Sequence, residues 1–365
     1  MSSGEVLSSR KRRSDPWEGV KNLVVGDYFV LGDRIGSGAY GNVFNATCRT
    51  TGENVAVKME LQNSKNYLKD EGRILFDVSI NRNQTGFAKW RWYGNQGPFN
   101  VLVMDKLGTS LNTLLKSCDD AFSLKTTLML ADQCLQRLQS LHESGYVHSD
   151  IKPDNFVMGV GQYTNRMVYL IDFGLSKSFW NMFTNSHIRE KRVSSFSGTV
   201  RYASINTHQG VECSRRDDLE SLGYMLIQFL KRKLPWSGLK ISPQETVYKK
   251  VLEVKIDNPA EKLCSDLPRC FTTYMQYCRG LGFADNPDYD HLRQLFMAEM
   301  LYQDYYYDSQ YDWEKTADPG IITNQTTTAP MPSYGVNVAN VAMMNGIHYP
   351  LPHNYYFYTY PRVGI

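Results

Sequence analysis

His148-Ser149-Asp150-Ile151-Lys152-Pro153-Asp154-Asn155, followed by Asp172-Phe173-Gly174, is the stretch that decides the fold. It gathers carboxylates, an amide and an ammonium into one short region. Any single Asp or Asn there would ordinarily be a loop cap. The weight comes from what precedes it in the chain. Gly36-Ser37-Gly38-Ala39-Tyr40-Gly41 is a glycine-rich turn, with Ile35 before it and Val43 after it in strand-like runs. Glycines let a backbone approach phosphates closely, with N–H groups aimed at the oxygens. A dinucleotide-binding loop would open a helix. This one continues into NVFNATC, which reads as a strand, so a hairpin is expected. Next comes Val55-Ala56-Val57-Lys58. A lysine in a strand is ordinarily a solvated edge residue.

Working outward, DYFVLGDRIG, NVFNATCR, ENVAVKMEL and FNVLVMD read as strands bounded by turn residues. Leu68, Glu71 and Leu75 fall at i, i+3 and i+7, which predicts a helix with Glu71 on its apolar face. Asp70 is the alternative acid. After Gly108 the character changes. Leu124, Leu128, Ala131, Leu135, Leu138 and Leu141 predict a long amphipathic helix ending at Gly145. LESLGYMLIQFLKRK is apolar nearly all round, so it is expected to be a buried central helix. Helices are also expected around 245–255, 268–281 and 289–302. The class is α+β: a small β-rich lobe, then a larger helical one.

Glycine hairpin, strand lysine, helix glutamate, loop aspartate and Asp-Phe-Gly stand in the order of the protein kinase signature. The chain resembles that family, and the resemblance implies the two-lobed kinase fold with ATP and Mg²⁺ as cofactors. On it, Asp150 accepts the substrate hydroxyl proton and Lys152 neutralises the moving phosphoryl group. Lys58 pairs with phosphate and Glu71, while Asn155 and Asp172 hold Mg²⁺. Ile35, Gly36, Ser37, Gly38, Gly41 and Val43 would cover the nucleotide. Val43, Ala56, Val157 and Ile171 would sandwich adenine, although ordinary core packing explains such residues equally well. Met104 would stand at the back of the pocket, with the backbone of Asp105 and Leu107 on the adenine edge. Leu75, Phe173 and His148 would stack into a spine, and Asp218 would hold the catalytic loop. A lysine two residues after the catalytic Asp is the serine/threonine form.

Within that family, residues 26–315 resemble casein kinase 1. Ser204-Ile205-Asn206 stands where most kinases have Ala-Pro-Glu. Tyr277-Cys278-Arg279-Gly280-Leu281, Pro287-Asp288-Tyr289, Leu292-Arg293-Gln294-Leu295-Phe296 and Tyr311-Asp312-Trp313 carry the likeness further. Phe156-Val157-Met158-Gly159 is similar to the tau-tubulin kinases of the same group, which gives cytoskeletal substrates as an alternative. A pseudokinase that binds ATP or partners without turnover is another, opposed by the intact Lys58, Asp150, Asn155 and Asp172. The resemblance implies protein substrates with Ser or Thr, acidic ones among them. The family binds a substrate anion with a basic cluster, of which only Arg201 matches. Ser149, Ser194 and Val247 stand where basic residues are expected. Lys191, Arg192 and Lys240 lie near in sequence as possible substitutes.

Composition narrows the classes. Forty Lys and Arg against 37 Asp and Glu give +3. Arg10, Lys11, Arg12 and Arg13 account for more than that excess, so bulk nucleic-acid binding is not expected. No run reaches the roughly 18 apolar residues of a membrane helix. Seven cysteines without CxxC spacing suit reduced thiols, hence the cytoplasm or the nucleus. Residues 1–25 read as a disordered leader whose basic run is either solvated or a nuclear address. Residues 316–365 read as a disordered Tyr-rich tail, nearly uncharged. The domain between them divides into lobes at 26–108 and 109–315, and a monomer is expected.

Overall fold

The computed structural model describes residues 17, 19–38, 41–62, 67–80, 85–239 and 244–314. The chain divides into two compact units. Of the described residues, the first comprises those up to Asn112, with Ser140–Arg189 and Ser197–Thr199; the second comprises Thr113–Gln139, Glu190–Phe196 and those from Val200.

The first unit is built on an antiparallel sheet of six strands: β1 (Val24–Val25), β2 (Phe29–Gly38), β3 (Gly41–Cys48), β4 (Asn54–Leu61), β5 (Trp90–Gln96) and β6 (Phe99–Asp105). Their order is β1-β2-β3-β4-β6-β5. The expected strands all form. β5 was not anticipated, because WRWYGNQ lacks clean alternation of apolar and polar residues. Strand side chains alternate between faces, and here the two faces differ in purpose. Phe44, Ala46, Val55, Val57, Met59, Phe99, Val101 and Val103 form a buried core on one of them. Gly36, Val43, Ala56, Lys58 and Met104 have the opposite parity, and Val43, Lys58 and Met104 are absent from that core. Helix α1 (Tyr67–Ile80) packs against β4, β5 and β6. Its buried Leu68, Glu71, Ile74, Leu75 and Val78 follow the predicted apolar face.

Val20 belongs to the same core and the half-buried Trp17 packs against it, its ring 4.8 Å from that of Phe99. Described structure therefore begins before residue 26: within the leader expected over 1–25, Trp17, Val20, Leu23 and Val25 pack on this core. A single tryptophan gave no periodic signal to reveal this. Arg10–Arg13 and the tail 316–365 lie outside the described residues.

The first unit also takes in later segments of the chain. β7 (Tyr146–Val147), β8 (Phe156–Met158), β9 (Val168–Leu170), β10 (Lys177–Ser178), β11 (Trp180–Asn181) and β12 (Ser186–His187) group with the first unit. Hydrogen bonds explain it: Gly108 N–H donates to Met158 O at 2.8 Å, and Ser110 bridges to Val157.

The helices are α2 (Leu111–Ser117), α3 (Leu124–Glu143), α4 (Ile205–His208), α5 (Arg215–Lys231), α6 (Gln244–Ile256), α7 (Ala260–Leu263), α8 (Arg269–Gly280) and α9 (Tyr289–Tyr302). α2 and α3 lie at the division and the rest belong to the second unit. α3 ends where expected, with Gly145 at φ +84°. Every residue of α5 from Asp217 to Phe229 is buried, as its all-round apolarity predicted. No helix among the described residues is long and apolar enough to cross a membrane.

Candidate active site

The site is assembled within the first unit. β4 sets Lys58 on the non-core face, and α1 presents Glu71 toward it. The Lys58 Nζ donates to Glu71 Oε1 at 2.9 Å and Oε2 at 2.7 Å. It also donates to Asp172 Oδ1 at 2.8 Å. Asp70 is exposed, so the helical register selects Glu71, as its flanking leucines predicted. Burial opposes the Lys58 charge, but the Glu71 and Asp172 carboxylates outweigh it and push the ammonium pKa up. Burial also raises the Glu71 carboxyl, against the pull of Lys58. At Asp172 burial acts upward, yet Lys58 prevails and holds the carboxyl below its usual range. An ammonium between two acids is therefore charged at any physiological pH.

Asp150 is oriented from both sides. Lys152 Nζ donates to its Oδ2 at 2.5 Å, and Thr199 Oγ1 donates to its Oδ1 at 2.6 Å. Asn155 Nδ2 donates to the Asp150 carbonyl at 2.9 Å, and the Ile171 N–H donates to Asn155 O at 2.9 Å. These bonds bring the loop and the approach to Asp172 together. Two residues pay in backbone strain for the arrangement: Ser149 at φ +66° and Asp172 at φ +65° are left-handed without being glycine. Gly198 is required nearby, since a Cβ at its φ of +94° would lie 2.7 Å from Ser149 O. His148 Nε2 lies 3.0 Å from Ile171 O, and its ring is 5.6 Å from that of Phe173. Phe87, 6.1 Å from Phe173, joins this stack. Neither Thr199 nor Phe87 was among the predicted site residues. Thr199 has no motif of its own beyond following Gly198.

The candidate nucleotide surface lies on the same face of the sheet as Lys58. β2 and β3 form the expected hairpin, with Gly36 paired to Val43 and Gly38 to Gly41. Ala39 and Tyr40 lie outside the described residues. Gly41 has a structural reason too: at φ +135° its Cβ would stand 2.2 Å from Met59 O. Ala56 pairs with Met104 and Val43 with Lys58. Ile35 and Ser37 are exposed, Val43, Met104 and Ile171 are half-buried, and Ala56 and Val157 are buried. Core packing alone would bury all of them. Among the described residues the Leu107 N–H and C=O have no hydrogen-bond partner, which suits an adenine edge. The Asp105 N–H is committed to Lys89 O and its carboxylate to Arg91, so only its carbonyl remains a candidate.

The residues also fit a hard divalent cation. Asp172 supplies carboxylate oxygen, and the Asn155 bond to Asp150 leaves the amide oxygen as an acceptor. Among the described residues no group of three or more His, Cys, Asp or Glu could hold a metal unaided. Such a pair of oxygen donors, completed by waters and phosphate oxygens, is how Mg²⁺ is usually bound.

The predicted anion residue, Arg201, lies in the second unit and is exposed. The neighbouring cations are occupied: Lys191 pairs with Glu212 at 3.3 Å, and Arg192 donates to Gln209 O at 3.0 Å. Lys240 lies outside the described residues. Ser204 caps α4 by accepting from the Thr207 N–H and donates to Asp217 Oδ1 at 2.5 Å. Arg279 lies 3.6 Å from Glu220 and donates to Tyr224 OH at 3.1 Å. Asp218 is buried in the first turn of α5. Compared with known families, residues 29–279 match the model described as the protein kinase domain.

Proposed function

We propose, from the premise that the chain belongs to the protein kinase family, that it is an ATP-dependent serine/threonine kinase of casein kinase 1 type. It is a phosphotransferase with the two-lobed kinase fold. The observation that carries the active reading is the double contact of Lys58 with Glu71 and Asp172. A pseudokinase would not need this ion triad, whose buried charges are expensive to assemble.

The residues divide the work. Lys58 binds phosphate oxygens of ATP while Glu71 fixes its position. Asn155 and Asp172 would hold Mg²⁺, which would supply neutralisation of the phosphate charge. Asp150 receives the proton of the protein's Ser or Thr hydroxyl, with Thr199 and Lys152 fixing its two oxygens. Lys152 then faces the transferring group with a positive charge. Catalysis is thus mainly positioning and electrostatics.

Two features support the casein kinase 1 type. Asn206 offers no carboxylate where most kinases have glutamate. Ser204, in place of alanine, is the N-cap of α4. Ser149, Ser194 and Val247 stand where basic residues would join Arg201, so recognition of a primed phosphate is weak. A bidentate arginine clamp gives affinity that serine and valine cannot replace. A peptide array tests both points. The expected profile favours Ser/Thr peptides, with turnover of a primed peptide within a few-fold of its unprimed parent. Tyrosine preference would defeat the type, and a strong preference for primed peptides would defeat the weak-anion reading.

A further inference from the structure

Lys255, in the last turn of α6, is fully buried. Lysines are almost never so unless paired with an acid. Among the described residues, no carboxylate comes within ion-pair distance of it. Its Nζ instead donates to Val200 O at 3.1 Å and Ala203 O at 2.5 Å, and lies 3.1 Å from His208 Nε2. It also stands 4.8 Å from the centre of the Tyr224 ring and 5.0 Å from that of Trp236. Two carbonyls, an imidazole and two aromatic faces together solvate an ammonium.

What this cage grips is specific. Trp236 Nε1 donates to Arg201 O at 2.7 Å, and Tyr202 OH donates to Gln228 Oε1 at 2.8 Å. The segment Val200–Ala203 is therefore tied at nearly every residue. It begins one peptide bond after Thr199, whose hydroxyl fixes Asp150. We propose that Lys255 is a positioning residue for phosphotransfer: its ammonium fixes the Val200–Ala203 backbone, and with it Thr199, and the grip weakens when the ammonium loses its proton. The proposal rests on membership of the protein kinase family and not on the casein kinase 1 reading.

The surroundings make the proton labile. Burial lowers Lys255 to about 7, with Glu220 of α5 acting upward and Arg279 of α8 downward. Burial and then Lys255 lower His208 of α4 to about 4, so that imidazole stays neutral, its Nε2 also 3.2 Å from Val200 O. Tyr224 of α5 is pushed far up by burial and then by Glu220, so it stays a phenol. Only Lys255 changes charge near neutrality in this cage.

The test is kcat for peptide phosphorylation, from about pH 6 to about pH 8.5, in wild type, Lys255→Met and Lys255→Arg. At the acid end Lys255→Met is expected to lose roughly 10- to 100-fold in kcat, with KM for ATP unchanged. The wild-type advantage should shrink as pH rises through about 7. Lys255→Arg stays charged throughout, so it should recover part of kcat and gain on wild type at high pH. Melting temperatures of the three proteins separate positioning from folding. A loss that is independent of pH and follows the melting temperature overturns the proposal. So does a Lys255→Met enzyme with wild-type kcat across the range.

Discussion

Lys58 and Lys255 are both buried, and they are held in opposite ways. Lys58 lies between Glu71 and Asp172, and its pKa is driven up. Lys255 is held by carbonyls, an imidazole and rings, and burial drives it down to about 7. Carboxylates fix a buried charge, whereas dipoles satisfy it but leave its proton negotiable. The first arrangement suits the phosphate-binding role proposed for Lys58, which calls for a charge at every pH. The second suits a residue whose partners are backbone carbonyls.

The comparison is broken most severely by removing the paired lysine. Lys58→Met should lower phosphotransfer about 10²–10³-fold. It should also cost roughly 3 kcal/mol of stability, because Glu71 is left buried without its cation. Denaturant unfolding and a turnover assay check the two parts. Glu71→Gln is milder: Lys58 keeps Asp172, so kcat should fall roughly tenfold through looser positioning. KM for ATP and kcat measured together distinguish this from simple loss of binding.

Stability against pH sharpens the contrast. A lysine whose folded pKa lies below its unfolded value of 10.5 binds fewer protons folded than unfolded between about 7 and 10.5. Stability therefore rises with pH across that window, by up to roughly 1.4 kcal/mol per unit from this group. Lys255→Met should remove that rise, while Lys58, whose folded pKa lies above its unfolded one, contributes none there. Denaturation midpoints at several pH values check it, and identical slopes in the two proteins would contradict it. The smallest effect is expected from Ser204→Ala, which removes the α4 cap and should cost about 1 kcal/mol, with kcat within about twofold of wild type.

The contrast also explains what the sequence revealed. Lys58, Glu71, Asp150, Asn155 and Asp172 stand out in the sequence because each occupies a fixed place in an ordered pattern, and helix periodicity alone put Glu71 on the buried face of α1. Lys255 was not legible. It sits in the helix VYKKVLEVKI beside other lysines that are solvated, and nothing local distinguishes the one that turns inward. Thr199 was hidden for a similar reason, since its value depends on where Asp150 lies in space. Trp17 was missed because its partners Phe44 and Phe99 are remote in sequence. Pattern reading finds residues whose roles are local, and it loses those whose partners are distant.

The most direct test of the account is transfer of labelled γ-phosphate from ATP to casein by the full chain, in wild type and Asp172→Asn. The account predicts incorporation on serine and threonine by wild type, and a loss of about 10²-fold or more in the variant. A wild-type protein that transfers nothing, or a variant that transfers as well as wild type, would contradict it.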